Sequence, residues 1–228
     1  MSALTFTLKN SITHSIDCRR LTPSNMADLS ISEIEHLSLL NTKNSAKIGD
    51  YFDISGNDCS NIIFRNSNQQ LDYIGHQMTR GRISIEGDCG DFLGCQMRGG
   101  SIICHGNAKD RVGDQMRRGL ILIDGNAGDY CGSRLVAGTI GVFGSVGNYV
   151  GFAMKRGTIL LTKTSKLHAT IQDCGTHKLP YLALLFKSFQ LLPTKFETIK
   201  SLRVQRFAGD LACNGNGEIL VCSEDVSA

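Results

Sequence analysis

A spacing of 19 residues governs this chain. Gly75, Gly94, Gly113, Gly132 and Gly151 open five segments without insertion or deletion: GHQMTRG, GCQMRGG, GDQMRRG, GSRLVAG and GFAMKRG. A second glycine column runs through Gly81, Gly100, Gly119, Gly138 and Gly157, and an isoleucine column through Ile83, Ile102, Ile121, Ile140 and Ile159. Self-similarity at an unbroken period over five copies is the signature of a repeat architecture, and it constrains the fold more than any other feature.

A unit of 19 residues is too short for a helical hairpin and suits one coil of a β-solenoid. Each unit carries Gly-x-Ile-x-apolar-x-Gly, as in Ile83/Ile85, Ile121/Ile123 and Ile140/Val142. Such period-2 alternation between glycines predicts a short strand with one face in a core. Coils stacked at about 4.8 Å would align like residues into ladders, giving a rod roughly 24 Å long. The ladders would be isoleucine inside, with Met78, Met97, Met116 and Met154 beside it, and glycines at the corners, where a left-handed backbone is needed. The expected fold is therefore mainly β, a right-handed parallel β-helix with short N-terminal elements and C-terminal helices. Glycine-rich stretches such as GNAGDYCG do not read as a phosphate loop, which needs one glycine turn opening a real helix.

The flanks lack the period and divide the chain into 1–46, a strand and helix cap, 47–166, the repeats, and 167–228, a helical extension. LTFTLKN alternates like a strand, Pro23 suits a helix start, and Ser30 with Glu33 has capping-box spacing. Ile62, Ile63 and Phe64 fill the strand slot of a worn first coil, with Gly56 lying 19 before Gly75. A helix is predicted from Pro180, a second over TKFETIKSLRVQRF, and a last strand in GNGEILVC.

Chemistry is harder to find. The chain has 228 residues and a net charge of +3, too mild to mark a nucleic-acid binder. No apolar run reaches membrane-span length and no leader opens the chain, so a cytoplasmic protein is expected. Nine cysteines, without a CxxC pair, form neither a disulfide framework nor a metal site. Cys104 and Cys131 fall in apolar columns and read as small core residues. Six histidines stand singly, and Cys174 with His177 lacks the third group of a triad. Asp72, Asp91, Asp110 and Asp129, followed by Asn148, form an acidic column best read as Asx turns holding corner amides. No catalytic residue and no metal ligand is assigned.

Two surfaces are candidates for partner binding. Arg80, Arg82, Arg98, Arg117, Arg118, Lys155 and Arg156 form a basic ridge suited to an anionic partner or substrate tail. The residues pointing out of the repeated strands (Ser84, Ile103, Leu122, Gly141, Leu160) are apolar enough to need a cover. The helix after Pro180 offers Leu182, Leu185, Phe186 and Phe189 for that purpose. It leaves Leu184 and Leu191 to face a neighbouring protein.

The segment GDYFDISG leading into repeated G-x-x-M-x-x-G-x-I-x-[ILV]-x-G-[ND]-[AC]-G resembles the C subunits of formylmethanofuran dehydrogenases. It equally resembles their counterpart in the bacterial formyltransferase/hydrolase complex, and the C-terminal β-helix domain of glutamate synthases. The likeness covers roughly residues 18–210, and the tail from Asp173 onward looks like the bacterial version. It implies a non-catalytic structural subunit of a complex that passes a formyl group from tetrahydromethanopterin to a methanofuran-type carrier and releases formate. On that reading the cofactors and the zinc belong to other subunits (amidohydrolase-like, pterin-enzyme-like and formyltransferase) and none to this chain. The alternatives are the corresponding subunit of a tungsten or molybdenum formylmethanofuran dehydrogenase in methanogenesis and a stand-alone glutamate-synthase-type scaffold. Lys109, Lys163 and Lys166 depart from the glycine columns, as does SRLVAG from the Met motif.

Overall fold

The computed structural model describes residues 2–9, 12–39 and 46–222. Its core is one 11-stranded sheet. The repeats supply β6 (Arg82–Glu86), β7 (Arg98–Cys104), β8 (Arg118–Ile123), β9 (Thr139–Val142) and β10 (Thr158–Leu161). These pair in parallel at the 19-residue offset, so that Ile83, Ile102, Ile121, Ile140 and Ile159 stand opposite one another. All five are buried, as are Met78, Met97, Met116, Leu135 and Met154.

Both flanks extend the ladder. β4 (Asp58–Arg65) pairs in parallel with β6, Ile62 opposite Ile83 and Phe64 opposite Ile85. The strand offset is thus 21 there and not 19, because two extra residues enter the worn coil. Beyond it lies β1 (Ala3–Leu8), parallel to β4 with Phe6 opposite Phe64, then β3 (Phe52–Ser55), antiparallel to β1. Phe6, Phe52 and Phe64 close this end as an aromatic plug, with ring centroids 5.4 to 6.3 Å apart. At the other end β13 (Gly217–Cys222) lies parallel to β10, Ile219 opposite Ile159 and Val221 opposite Leu161. The chain leaves the repeats and then returns to add one more rung in the same register. Antiparallel β12 (Arg203–Gly209) and β11 (Gln172–Lys178) finish that edge. The sheet order is β11-β12-β13-β10-β9-β8-β7-β6-β4-β1-β3.

Coil-on-coil pairing continues outside the sheet. Cys89, Ala108, Ala127 and Val146 form parallel bridges, and β2 (Ile16–Asp17) pairs with β5 (Leu71–Asp72). At the turns the amides of Tyr73, Phe92, Arg111 and Tyr130 donate to carbonyls of the following repeat at 2.8 to 2.9 Å. The glycine and isoleucine columns are one device. Gly94 has φ +63°, and a Cβ there would overlap Ile121 Cδ1; Gly75, Gly113 and Gly132 make room in the same way for the isoleucine of the next coil.

The left-handed backbone is not confined to glycine. Tyr73, Phe92, Arg111, Tyr130 and Tyr149 all have φ between 58° and 62°, and Gln77, Gln96 and Gln115 between 54° and 57°. Such conformations cost about 1–2 kcal/mol per residue. Ring stacking and inter-coil hydrogen bonds offset that cost. The aspartate column also differs from the Asx turns expected of it. Asp72 Oδ1 accepts from the amide of Asp91, Asp91 from Asp110, and Asp110 from Asp129, at 2.8 to 2.9 Å. The carboxylates brace neighbouring coils. Asp88, Asn107 and Asn126 build a parallel ladder of the same kind.

Short helices α1 (Pro23–Met26), α2 (Ile31–His36) and α3 (Ile48–Tyr51) cover the N-terminal end, and α2 carries the expected Ser30/Glu33 capping box. After Pro180 the chain forms α4 (Tyr181–Phe189). The second C-terminal helix does not form. TKFETIKSLRVQRF is a 3-10 turn at Lys195–Thr198 followed by β12, because the sheet edge at β13 offers six paired residues that an isolated helix could not match.

Candidate functional site

α4 and the 3-10 turn lie on the outer face of the repeat strands. Ile103, Leu122, Leu160 and Leu220 project outward and are buried under Leu182, Phe186, Phe189, Leu192 and Phe196. Gly141 leaves space for Phe196, whose ring would stand 2.8 Å from a Cβ at that position. Leu185 is partly buried. Leu184 is 75% exposed and Leu191 83%, away from the residues that meet the rod.

A polar latch holds this cover in place. Asp124 is buried, and its Oδ1 accepts from the Thr194 hydroxyl at 2.6 Å and the Lys195 amide at 2.9 Å. Its Oδ2 lies 3.0 Å from His105 Nδ1. A second latch is Asp210, which accepts from the amides of Ala153 and Ala212. Burial alone would raise its carboxyl, but hydrogen bonds from Thr170 and those two amides outweigh it and hold it below its ordinary value. Asp114, also buried, receives Arg134 Nη2 at 2.6 Å and the Ser133 hydroxyl at 2.5 Å. None of these aspartates stood out in the sequence: Asp124 shares its column with Glu86, His105 and Phe143, Asp114 shares its column with His76, Cys95 and Ser133, and Asp210 lies beyond the repeats, so no column pattern marked them.

The structure sets the basic ridge on exposed turns and on the first residues of the strands: Arg98, Arg117, Arg118, Lys155 and Arg156, with Arg80 and Arg82 at its N-terminal end. Lys155 Nζ donates to the Cys213 carbonyl at 2.8 Å. Away from the ridge, one column forms a stack. Arg19 lies 3.9 Å over Tyr73, Tyr73 stacks on Phe92 at 4.6 Å, Arg111 lies 4.8 Å from Tyr130, and Tyr130 stacks on Tyr149 at 4.9 Å. Ring faces meet ring faces there, so the column braces the rod.

Among the described residues, no three His, Cys, Asp or Glu side chains come together to hold a metal ion. His177 Nε2 is 2.8 Å from the Cys174 carbonyl oxygen, a contact to backbone and not to the thiol. Cys89 and Cys104 approach to 3.7 Å between sulfurs, a meeting hidden in the sequence because they occupy different columns. A hydrogen bond with Cys104 and burial push the Cys89 thiol well above its ordinary range, and burial pushes Cys131 up to about 12. Thiols in such surroundings are inert. Among the described residues no helix is long and apolar enough to cross a membrane.

No family model matches the chain. The C subunit of the tungsten-containing formylmethanofuran dehydrogenase 2 of Methanococcus maripaludis is 29% identical over 92 residues, 40% of this chain and 34% of that protein. The C subunit of the formyltransferase/hydrolase complex Fhc of Methylorubrum extorquens is 29% identical over 86 residues, 38% of this chain and 32% of that protein. The matched stretch therefore spans about a third of each curated relative. The crystal structure of the FhcABCD complex from Methylorubrum extorquens, in complex with methylofuran, contains a chain that aligns far more fully. The alignment covers 96% of this chain and 100% of that one, at 28% identity and a TM-score of 0.65. The likeness is to the C-subunit family of these two complexes. Sequence similarity lies within the part of the chain that the matches cover, and the structural likeness extends over the flanks.

Proposed function

We propose that this chain is the non-catalytic structural subunit of a formyltransferase/hydrolase complex. The observation that carries the reading is the end-to-end structural match to a chain of the FhcABCD assembly. In this reading the repeats form a right-handed parallel β-helix, a stiff rod on which other subunits are held. The repeats make most of the rod, the described N-terminal residues add β1 to it and cap it, and the described C-terminal residues complete its last rung and clothe its outer face. The other subunits (amidohydrolase-like, pterin-enzyme-like and formyltransferase) carry the chemistry. They move a formyl group from tetrahydromethanopterin to a methanofuran-type carrier and hydrolyse it to formate at a zinc centre, as part of formaldehyde oxidation. This chain binds no cofactor. Its contribution is position, with Leu184 and Leu191 as the apolar contact.

Purification of the tagged full chain from its native cells, with partner identification and metal analysis, tests the proposal. Zinc with an amidohydrolase-like and a formyltransferase subunit is the expected result. Tungsten or molybdenum arriving with a pterin enzyme would favour a dehydrogenase instead, in line with the tungsten-containing relative. Formyl transfer by the pure chain alone would overturn both.

A further inference from the structure

We infer that the basic ridge is a docking track for an acidic helical face of a partner protein. Five stacked segments, 77–82, 96–101, 115–120, 134–139 and 153–158, contain eight Lys or Arg residues and no Asp or Glu. Arg134 is taken by Asp114. Among the described residues, Arg80, Arg82, Arg98, Arg117, Arg118 and Arg156 have no acidic side chain within ion-pair distance. Arg98 and Arg118 even stand directly opposite on neighbouring strands, a like-charge pairing that destabilises a sheet. None of the chain's 21 acidic residues falls within these segments, and the acid that shares a groove with the ridge, Asp58 beside Arg80, is not within ion-pair distance of it. On the rung after the repeats, Glu218 is already engaged by Arg206, Thr158 and Tyr181. At its N-terminal end the ridge meets a shallow groove of about 370 Å³ lined by Ser60, Asn61, Gly81, Arg82 and Ser101.

Spacing selects the partner. The cations recur at the rung spacing of about 4.8 Å on every rung but the fourth, so Arg80 and Arg156 lie about 19 Å apart. A helix presents one residue per turn at about 5.4 Å and drifts only about 2.4 Å over four turns, within reach of an arginine side chain. An extended strand presents same-face residues at about 6.6–6.8 Å and falls out of step by more than one rung. The ridge is interrupted at one rung by half-buried Val136 and Ala137. The matching helix therefore carries carboxylates on most turns and a small apolar residue opposite that gap.

The track rests on the assembly reading and adds to it the chemistry of a second contact, yet it can be tested on the isolated full chain. The probe is a fluorescent helical peptide of about 18 residues, five turns, with one face of glutamates. Its controls are a sequence-scrambled isomer and a short DNA duplex of equal charge. At low ionic strength the striped peptide should bind at least about 10-fold tighter than either control, and added salt should narrow the gap. Arg98→Glu with Arg117→Glu and Arg118→Glu should abolish the preference. If that variant does not fold, Arg117→Gln with Arg118→Gln gives the same reading at smaller amplitude. Equal binding of the scrambled isomer, tighter binding of DNA, or no binding would each overturn the inference. Such a failure leaves the co-purification result standing, and a failed co-purification leaves the peptide result standing.

Discussion

At the residue scale the stability of the rod rests on like side chains stacked rung on rung, each fitted to a glycine of the preceding coil. Ile121 lies in a middle coil, fully buried between Ile102 and Ile140. Ile121→Ala should cost about 2–5 kcal/mol, while Ser101→Ala, out of the isoleucine register, should cost under about 0.5 kcal/mol. Denaturant titration of the two variants separates these values. Gly94→Ala should destabilise by about 2 kcal/mol or more, since it adds both an overlap with Ile121 Cδ1 and a strained backbone. Pairing it with Ile121→Val removes the overlapping methyl but not the strained φ, so a double-mutant cycle should show partial recovery. These columns were legible because periodicity exposes them one letter at a time. The left-handed Tyr73, Phe92 and Tyr130 were not. Single-residue preference speaks against an aromatic at positive φ, and the stacking that compensates exists only between coils.

At the element scale the C-terminal extension shows where local pattern stops being informative. α4 announced itself through Leu182, Phe186 and Phe189 at helical spacing, and the outer face of the strands announced its need for a cover. The stretch from Thr194 to Phe207 also has helix-like apolar spacing, yet the register of β13 draws its second half into the sheet. Asp124 and Asp210 hold this extension down, and both act through contacts more than fifty residues distant in sequence. Asp124→Ala would leave the Thr194 hydroxyl and the Lys195 amide without their partner, at about 1–3 kcal/mol. Hydrogen exchange should then quicken around the 3-10 turn and α4 while the repeat strands keep their protection. Asp210 has a depressed pKa in the folded state. Its stabilisation is therefore present above the ordinary carboxylate range and is lost as pH falls through the folded value. Asp210→Asn should flatten the acid limb of a stability–pH profile relative to the parent protein; an unchanged limb would assign acid sensitivity to other carboxylates.

At the scale of the whole molecule the flanks finish both ends of the strand stack and give it distinct sides. One end is plugged by Phe6, Phe52 and Phe64, the other is finished by antiparallel strands, and one long face lies under α4. That helix is apolar almost all round, the composition of a helix buried on both faces. Its inner residues meet the repeat strands, whereas Leu184 on the helix and Leu191 just beyond its end, outside the helix expected to carry it, meet solvent, although both are large and apolar. Isolated exposed leucines are ordinary, but two on the outward side of a segment whose other side is core form the apolar patch that the proposed assembly would use. Leu184→Asp with Leu191→Asp removes that apolar contact without touching Leu182, Phe186 or Phe189. The variant should therefore fold with parental thermal stability, remain soluble, and fail to co-purify with the partners captured by the parent chain. Loss of folding would make the two leucines part of the core in solution, and normal assembly would move the partner to another side of the rod.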